Sequence, residues 1–426
     1  MSATSGFARR LGRWGAILRT GVRTLSCLDT NPVPANWRHI TKIDPEADKQ
    51  LPLLYPLYLS HTSAISVGGS SDVTSQNTED TFTILDRIPV PTFHEPSAAK
   101  HVTNNTRTQC DFMAIPEVLN GDVESLVGEL GAGAEYIREE LVPPMIEEKL
   151  PWVPDRFRTR LADFATTWLL ERAIFEAYII QNPDSAAARE SGVSVDDLLS
   201  PAQAAQRALA AEKHLESEVI YLEYSGTFGG EEATDILAAV SEAIGWSRIW
   251  YGGGLYARAD ARAVLEAGAD AVVVGNVFHE IAAEETAFVE QAVDALEGDS
   301  IDLDSSRSWV DETVNIAETN AARYLSTIPD ISDPHGTASE YIAATVTAWL
   351  ELESLADQVP DDRPSDAAIR QFVDEDWTDA LPGAVALAEV LGDDGHQLAR
   401  EVALFHLDRR FGTAAGSLPL AHLGPL

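Results

Sequence analysis

The sequence predicts an α/β protein, a modified (β/α)8 barrel followed by an additional all-α C-terminal region. Three apolar, β-rich runs each end in glycines or small polar residues, namely Glu218–Gly226, Tyr251–Gly254 and Val272–Asn276. In such barrels the loops after strands 7 and 8 commonly hold a phosphate, and glycine lets backbone N–H groups approach an anion. We therefore interpret the three runs as strands 6, 7 and 8 of a phosphate-binding barrel.

Eight strand candidates lie before residue 280, and most are followed by turn or helix patterns. The runs are short, rich in β-branched or aromatic residues and almost continuously apolar, as expected for parallel strands covered on both faces. Alternation of strands and helices favours a barrel over an open sheet. The candidates are His39–Asp44, Ala64–Gly68, Val90–Glu95, Asp111–Ile115, Ala177–Gln181, Val219–Glu223, Arg248–Tyr251 and Ala271–Gly275.

Two connections depart from the regular pattern. Ala98–Arg107, between strands 3 and 4, is short and polar, so we expect the barrel to lack one helix there. Leu141–Glu171 is a long insertion that opens with several prolines, and the pattern after them predicts a helix at Arg158–Arg172. This insertion stands where it could line or cover a groove for a long apolar substrate.

The chain changes character after about residue 296. Glu297–Ser306 is acidic and contains serines, which is typical of a linker. The sequence therefore predicts a barrel domain at 29–295 and an acidic helical region at 296–426, either a second domain or an appendage packed on the barrel. Apolar spacing predicts its helices at Trp309–Leu325, Ala338–Gln358, Asp366–Trp377, Ala384–Leu391 and Gln397–Phe411.

Residues 1–28 form a separate, basic segment with five arginines and no acidic residue. Its apolar residues, from Phe7 to Leu25, fall on one helical face, which is typical of an interfacial helix at an anionic membrane. An ordinary N-terminal helix packed on the acidic body explains the pattern equally well. The segment lacks the apolar core of a signal peptide. We therefore expect a cytoplasmic protein, with peripheral membrane contact through 1–28 as one of the two alternatives.

The composition excludes some functions and indicates a habitat. A formal charge of −38 excludes a sequence-independent nucleic-acid binder, which needs a basic surface. The chain has many carboxylates and only five lysines, which is typical of a halophilic protein, because molar salt screens the repulsion between surface charges. Two cysteines, Cys27 and Cys110, are too few for a disulfide framework and fit a reducing compartment.

Six motifs, in order, carry a resemblance to a known family over roughly residues 33–290. They resemble the prenylglyceryl phosphate synthases, which include archaeal geranylgeranylglyceryl phosphate synthase and the bacterial heptaprenyl enzyme. The resemblance implies a TIM barrel that uses Mg2+ to join a prenyl diphosphate to the C3 hydroxyl of sn-glycerol 1-phosphate in ether-lipid biosynthesis. Barrels of that family are often dimers, so a homodimer is among the expected assemblies. The motifs are Trp37–Pro45, Val67–Ser70, Tyr178–Pro183, Tyr221–Gly226, Tyr251–Gly254 and Gly275–Asn276.

The resemblance assigns roles to individual residues. Lys42 would bind the glycerol phosphate, and Asp44 with Ser70 would bind the metal. A lysine is a mobile cation suited to phosphate oxygens, whereas a carboxylate and a hydroxyl are hard oxygen ligands of the kind that Mg2+ takes. The substrate-binding residues implied around the glycerol phosphate are Tyr221, Leu222, Glu223, Tyr224, Ser225, Gly226, Gly254, Gly275 and Asn276.

Glu223 and Lys42 are the residues to which we assign catalytic roles. Glu223 ends strand 6 in a site that should be partly dry, where a raised pKa would let the carboxylate take a proton from the attacking hydroxyl. Lys42, with Mg2+, would stabilise charge that develops on the departing diphosphate.

Departures from the family pattern leave alternatives open. Leu255-Tyr256 follows the triple glycine where the family carries Ile and a basic residue, and Arg258 is a candidate replacement for that cation. A sibling enzyme that uses another phosphorylated acceptor, such as 3-phosphoglycerate, is the first alternative. An inactive barrel that serves as a membrane-associated scaffold is the second.

Overall fold

The computed structural model describes residues 21, 23, 28–46, 48–69, 72–296, 301–360, 363–376, 382–419 and 422–424. Eight parallel strands close into a barrel in sequence order, with β1 paired to both β2 and β8. The predicted barrel and its eight strands are confirmed. Their bounds are β1 His39–Ile43, β2 Ala64–Val67, β3 Thr92–His94, β4 Phe112–Val118, β5 Ile174–Ile180, β6 Val219–Tyr224, β7 Arg248–Gly253 and β8 Ala271–Val274.

Helices surround the strands. One helical run follows β4: a π-helical stretch at Glu124–Gly128 leads into the helix Glu129–Tyr136, and a second at Ile137–Leu141 joins that helix to Val142–Lys149. The helices of the barrel part are α1 Tyr55–Leu59, α2 Ser75–Leu85, α3 Asn104–Gln109, α4 Glu129–Tyr136, α5 Val142–Lys149, α6 Asp155–Leu170, α7 Ala186–Glu190, α8 Pro201–Ala210, α9 Gly230–Ala243, α10 Arg258–Glu266 and α11 Asn276–Ala295. Those of the C-terminal part are α12 Leu303–Thr313, α13 Asn320–Thr327, α14 Pro334–Asp357, α15 Asp366–Asp376, α16 Pro382–Leu391 and α17 Asp393–Phe411.

Two helix predictions are wrong. A short helix, α3, does lie between β3 and β4, because Thr103 caps it by accepting a hydrogen bond from the N–H of Thr106 at 3.1 Å. The single helix predicted at Trp309–Leu325 is divided into α12 and α13. Thr319 starts the second helix, since its hydroxyl accepts from the N–H of Ala322 at 3.1 Å. In both places a threonine hydroxyl accepts a hydrogen bond from a free backbone N–H at the start of a helix. The spacing of apolar residues does not reveal such a cap.

Stacked aromatic rings fill the interior of the barrel towards the amino ends of the strands. Trp37 lies 6.3 Å from Phe93, 5.9 Å from Phe112 and 6.4 Å from Trp250, measured between ring centroids. Phe93 and Phe112 are stacked at 4.8 Å. Within the described residues this packing fills one end of the barrel, so the carboxyl ends of the strands form its open end.

The C-terminal helices complete the wall of the barrel outside β1. The connection from β1 to β2 contains only α1, whose residues Tyr55–Leu59 are buried on every side. A helix that is apolar all round must be enclosed by protein. Tyr58 packs against Tyr324 and Tyr341 of the C-terminal region, at 6.2 and 5.1 Å between ring centroids.

Hydrogen bonds join β1 itself to α13. The hydroxyl groups of Thr41 and Tyr324 lie 2.7 Å apart, and Nε2 of His39 lies 3.0 Å from the hydroxyl of Thr327. Tyr324 has no exposed surface. Apolar residues of the barrel wall and of the C-terminal helices belong to one continuous hydrophobic cluster. The described part of the chain contains no helix that is long and apolar enough to cross a bilayer.

Tyr324→Ala should destabilise the barrel and the C-terminal helices together. Removing a fully buried aromatic side chain typically costs about 3–5 kcal/mol of unfolding free energy. Tyr324 contacts both β1 and α1. We therefore expect a single cooperative unfolding transition whose denaturant midpoint is lower than that of the wild type. Far-UV circular dichroism and Trp fluorescence measure this transition. Tyr256→Ala, at an exposed tyrosine, is the control. A variant with an unchanged barrel transition would show that the C-terminal region is only an appendage.

Glu285 of α11 should make stability depend on pH. It is buried and accepts hydrogen bonds from the N–H of Leu53 at 2.9 Å and the hydroxyl of Thr345 at 3.2 Å. Burial raises the pKa of Glu285 to about 8. Between its pKa in the unfolded chain, about 4.3, and about 8, the folded protein holds a proton that the unfolded chain has released, so stability falls as pH rises.

Glu285→Gln should remove the part of the pH dependence of stability that arises from the Glu285 carboxyl group. We expect the unfolding free energy of the variant to fall less than that of the wild type between pH 5 and pH 8, in denaturant titrations at constant salt. Glu290→Gln, at an exposed position of the same helix, should leave the wild-type pH dependence unchanged. Parallel pH profiles of the Glu285 variant and the wild type would refute the assignment.

Candidate active site at the carboxyl ends of the strands

A partly buried ion pair connects two strands at the open end of the barrel. Lys42 lies near the end of β1, and its Nζ donates to both carboxylate oxygens of Glu95, at 2.9 and 3.0 Å. Glu95 directly follows β3, and its backbone N–H donates to the carbonyl of Val67 in β2. The ammonium group predicted to bind phosphate is therefore held at the mouth by a carboxylate.

Glu95 accepts hydrogen bonds from two further strands. The hydroxyl of Ser66 in β2 donates to Oε2 at 3.0 Å, and the hydroxyl of Tyr178 in β5 donates to Oε1 at 2.6 Å. Glu95 is the last residue of a predicted strand, but the sequence patterns assign it no role. The available signal was a carboxylate directly after an apolar strand, at the edge where barrel sites lie.

The charges around Lys42 favour its ammonium form. Burial opposes that form, but the carboxylates of Glu95, Asp44 and Glu223 outweigh burial and raise the pKa of Lys42. Lys42 therefore keeps its ammonium charge, and a lysine ammonium is a cation suited to a phosphate or diphosphate oxygen.

A second carboxyl group lies deeper on β5. Glu176 is two residues before Tyr178, is fully buried, and neither of its carboxyl oxygens has a hydrogen-bond partner within the described ranges. Burial, reinforced by the charge of Glu95, raises the pKa of Glu176 well above its usual value. Glu176 is therefore expected to be neutral, so it does not compete with Glu95 for the charge of Lys42.

Glu223, the predicted base, lies at the same mouth. It lies in β6, is buried, and its Oε1 accepts a hydrogen bond from the N–H of Ser225 at 2.8 Å. Burial raises the pKa of Glu223, while Ser225 and Lys42 limit the rise. Tyr221, on the same strand, stacks on Tyr178 at 4.3 Å between ring centroids. The carboxylate thus stands between the Lys42 ion pair and the β6–β7 loops.

The other residues of the β6 motif differ in where they point: some side chains face the surrounding helices, and other residues are exposed after the strand. Leu222 and Tyr224 belong to the hydrophobic cluster between the strands and the helices, and the Tyr224 hydroxyl donates to Glu232 at 3.0 Å. Ser225 follows the strand, and Gly226 has a φ of +82°. Leu222 and Tyr224 can therefore contribute their backbone to the mouth but not their side chains. Ser225 and Gly226 are exposed at the mouth. Their predicted contact with substrate remains a prediction.

Close approach explains the glycines at the end of β7. A Cβ at Gly252 would overlap the Tyr221 ring, and the N–H of Gly254 donates to the carbonyl of Thr227 at 2.7 Å. The Gly254 amide therefore closes the β6 and β7 loops against each other in this structure. Its predicted role as a direct phosphate donor would require that contact to be exchanged for a ligand.

Gly275 and Asn276 place a helix terminus beside Lys42. Gly275 precedes α11, a helix of 20 residues that begins at Asn276. A Cβ at Gly275 would lie 3.5 Å from the Cβ of Lys42. Unpaired N–H groups at the start of a long helix favour an anion, and the helix dipole adds to the charge of Lys42. These three predicted residues are thus brought together by β1 and β8.

Asp44, the predicted metal ligand, follows β1 at the same end. Its carboxylate accepts from Nζ of Lys49, which also donates to Oδ1 of Asn276 at 3.3 Å. A Cβ at Gly69 would lie 3.4 Å from the Cβ of Asp44, so the β2 loop approaches Asp44. Ser70 lies outside the described residues, and among those described no group of three or more acidic, His or Cys side chains forms a metal site.

Arg258 points away from the mouth. Its guanidinium donates to the carbonyls of Pro329 and Ile331 in the segment after α13, and to that of Ser332 at 3.3 Å. Leu255 is buried and Tyr256 is exposed. Arg258 therefore serves the contact with the C-terminal region and is unavailable as the replacement cation suggested by the sequence.

The fold and these contacts define a (β/α)8 barrel whose charged side chains and glycine-rich loops meet at one strand-end mouth. Residues 34–296 match the PcrB family, and because they make up more than half of the chain, this chain belongs to that family. The C-terminal helices lie beyond the matched residues.

Curated relatives carry two names. Geranylgeranylglyceryl phosphate synthase of Haloquadratum walsbyi is 31% identical over 247 residues, which cover 57% of this chain and 88% of that protein. The enzyme of the same name from Halobacterium salinarum is 32% identical, covering 58% and 89%. Heptaprenylglyceryl phosphate synthase of Lysinibacillus sphaericus is 28% identical, covering 57% and 91%.

Among solved structures, the chain is similar to (S)-3-O-geranylgeranylglyceryl phosphate synthase from Thermoplasma acidophilum, which was crystallised with sn-glycerol-1-phosphate. The TM-score is 0.41 at 19% identity, and the similarity covers 57% of this chain and 87% of that one.

Proposed function

We propose that this chain is a prenyltransferase that joins a prenyl diphosphate, geranylgeranyl diphosphate in the first instance, to the C3 hydroxyl of sn-glycerol 1-phosphate. The product would be a precursor of archaeal ether lipids. The observation that carries the proposal is the meeting of Lys42, Glu223 and the start of α11 at one mouth, in a member of the PcrB family. The names of the relatives support the same chemistry.

The reaction exchanges one bond for another. The C1–oxygen bond of the prenyl diphosphate breaks, the C3 oxygen of the glycerol phosphate bonds to C1, and the hydroxyl proton must be accepted. Glu223, whose pKa burial raises, is the carboxylate placed to accept that proton. Lys42 holds a fixed positive charge toward the phosphate groups, where fixed charge stabilises a developing anion without reorganisation.

Orientation is the other contribution of the protein. The N-terminus of α11 beside Lys42 would fix the phosphate of the acceptor, so that its hydroxyl faces Glu223. Holding two reactants in line can remove about 7–11 kcal/mol of the barrier. The aromatic packing of Trp37, Phe93 and Trp250 closes the far end of the barrel and keeps bulk water from entering there.

Mg2+ remains part of the proposal. Asp44 and Ser70 would hold it, because a carboxylate and a hydroxyl are hard oxygen ligands and Mg2+ usually takes one or two such protein ligands. When bound, the ion would neutralise charge on the diphosphate leaving group. Lys49 now donates to the Asp44 carboxylate, so it would have to give up that contact when the ion binds.

The choice of acceptor follows from the available cations. An acceptor such as 3-phosphoglycerate carries a carboxylate in addition to its phosphate and would need another counter-charge. Arg258 is committed to the carbonyls of Pro329, Ile331 and Ser332, and Leu255 and Tyr256 are uncharged. The residues that follow the glycine motif therefore supply no counter-charge for such a carboxylate, which supports glycerol phosphate as the acceptor.

One assay separates the three functions. The protein is mixed with labelled geranylgeranyl diphosphate, Mg2+ and one acceptor, and the organic-extractable phosphate product is counted. Product with sn-glycerol 1-phosphate supports the proposal, with its enantiomer sn-glycerol 3-phosphate as the matched control. Product only with 3-phosphoglycerate selects the sibling enzyme. No product with any acceptor selects the scaffold.

Asp44→Asn should slow turnover strongly by weakening the metal site. Losing one carboxylate ligand should lower kcat by about 100-fold or more, since a bound metal contributes several kcal/mol of charge stabilisation. Mn2+ binding, followed by electron paramagnetic resonance as a probe of the same site, should weaken in parallel. Asp48→Asn, at an exposed aspartate of the same loop, is the control. Wild-type Mn2+ affinity in the Asp44 variant would remove the metal assignment.

Assembly and location complete the proposal. We propose that the protein works in the cytoplasm, with peripheral membrane contact through residues 1–28 as one of two alternatives and a homodimer among the expected assemblies. Residues 1–28 lie almost entirely outside the described part of the chain. Their five arginines and apolar face, as the sequence shows them, support lipid contact. The guanidinium of Arg23, 3.5 Å from the Trp246 ring centroid and 3.8 Å from Oε2 of Glu216, supports the other alternative, a helix packed on the acidic body.

A further inference from the structure

The insertion between β4 and β5 ends in a helical hairpin with a core of its own. Val142 and Ile146 of α5 pack against Ala162 of α6, with Leu150 and Leu169 among the flanking residues. This small cluster is separate from the barrel interior and from the large cluster outside the strands. The hairpin formed by α5 and α6 is thus a projection whose outer surface is not needed to close the barrel core.

Helix α6 has a broad apolar arc, and only part of that arc is buried. Ala162 and Thr166 are buried, and Leu161, Ala165 and Leu169 pack against the hairpin core. Phe157, Phe164 and Trp168 fall within about 40° of one another on a helical wheel, about 100° from the centre of the face that packs in the hairpin. Their exposed fractions are 44%, 65% and 45%, and Trp152, just before the helix, is 76% exposed. Single exposed apolar residues are ordinary, but four aromatic rings on one short segment form a patch.

Arginines border this aromatic patch. The guanidinium of Arg156 lies 4.9 Å from the Phe157 ring centroid, and that of Arg172 lies 4.9 Å from the Trp168 ring centroid. Residues 151–172 contain four arginines and three acidic residues, in a chain whose formal charge is −38. The patch therefore carries a local positive charge on a strongly acidic protein, which complements an anionic partner.

The root of the same insertion lies at the mouth. The Tyr136 hydroxyl of α4 donates to the carbonyl of Val102, in the loop that follows β3 and Glu95. Val123 and Val127, at the start of the run, are 79% and 59% exposed. The insertion thus links the rim beside the Lys42–Glu95 ion pair to the aromatic patch of the hairpin.

We propose that the aromatic patch of Trp152, Phe157, Phe164 and Trp168 docks on an anionic lipid surface and holds the barrel mouth close to the bilayer. Trp and Phe insert at the interface between headgroups and acyl chains, while the arginines reach the headgroup phosphates. The patch lies on a convex helix, which suits a bilayer better than a groove-bound peptide. The lipid docking itself does not depend on the proposed function. Its biological reason, access to a prenyl substrate dissolved in the membrane, rests on the proposed function.

The test is cosedimentation of the full chain with vesicles. One set contains phosphatidylglycerol and phosphatidylcholine in equal parts, and the other contains phosphatidylcholine alone, at the lowest salt that keeps the protein folded. We expect binding to the anionic set and at least about tenfold weaker binding by the triple variant Trp152→Ser, Phe164→Ser, Trp168→Ser. The matched control, Val195→Ser, Leu209→Ser, Leu215→Ser, removes three exposed apolar residues elsewhere and should bind like the wild type.

The alternatives give distinct results. Wild-type vesicle binding by the triple variant overturns the proposal, as does equal binding of the wild type to both vesicle sets. A wild-type dimer that the triple variant converts to a monomer, with no vesicle binding by either protein, assigns the patch to a second copy of the chain and also overturns it. Lys42→Met protein should bind vesicles normally, so loss of catalysis and loss of docking are measured separately.

Discussion

Lys42→Met is expected to lower kcat/KM by about 100- to 1000-fold, the effect of removing one group that stabilises developing charge. Lys42 is the cation held at the mouth by Glu95, and neighbouring carboxylates raise its pKa, so the wild type keeps the charge at any working pH. Methionine keeps most of the side-chain volume but provides no charge. Steady-state kinetics with both substrates, one varied at a time, measure the loss.

The partner residue supplies a sharper control. Removing Lys42 leaves the buried Glu95 carboxylate without its counter-charge, which should cost about 3 kcal/mol of stability. The double variant Lys42→Met, Glu95→Gln should recover stability but not activity, whereas Lys149→Met, at an exposed lysine, should change neither. Recovery of activity in the double variant would mean that Lys42 acts only on the fold.

Glu223→Gln is expected to lower kcat by about 100- to 10,000-fold, the usual contribution of a general base, with a smaller change in KM for the glycerol phosphate. The amide can still accept the hydrogen bond from the N–H of Ser225, so the loop after β6 should keep its place. It cannot take a proton. The pH profile should lose its acidic limb, which reports deprotonation of Glu223, whose pKa burial raises.

Glu218, next to the same strand, provides a matched control. Glu218 precedes β6 at the opposite end of the barrel, where its carboxylate accepts from the N–H of Phe175 at 2.8 Å. Glu218→Gln makes the same chemical change away from the mouth and should keep wild-type kcat. A Glu223 variant with the wild-type rate and pH profile would remove that residue as the base and leave proton acceptance to solvent or substrate.

Local sequence patterns predicted the barrel because buried parallel strands are continuous apolar runs. All eight strands, from His39–Ile43 to Ala271–Val274, were found within about three residues, as is usual for element boundaries. Glycines at the ends of β7 and β8 also indicated the mouth, since only the carboxyl ends of barrel strands converge on a site.

Contacts between distant residues could not be predicted in the same way. Glu95 is 53 positions from Lys42 and 83 from Tyr178, and no local pattern distinguishes its carboxylate in so acidic a chain. Arg258 is close to the glycine motif in sequence, yet its guanidinium binds carbonyls more than 70 positions away. Tyr324 likewise reaches β1 only after the C-terminal helices have folded back on the barrel.

A crystal structure with sn-glycerol 1-phosphate and a non-hydrolysable prenyl thiodiphosphate tests the central claim most directly. We expect the acceptor phosphate at the N-terminus of α11 beside Lys42, with the C3 hydroxyl within hydrogen-bond distance of Glu223. Density for either ligand elsewhere, for example in the cavity lined by Arg38, Arg258 and Arg262 beside α13, with the mouth empty, would contradict it.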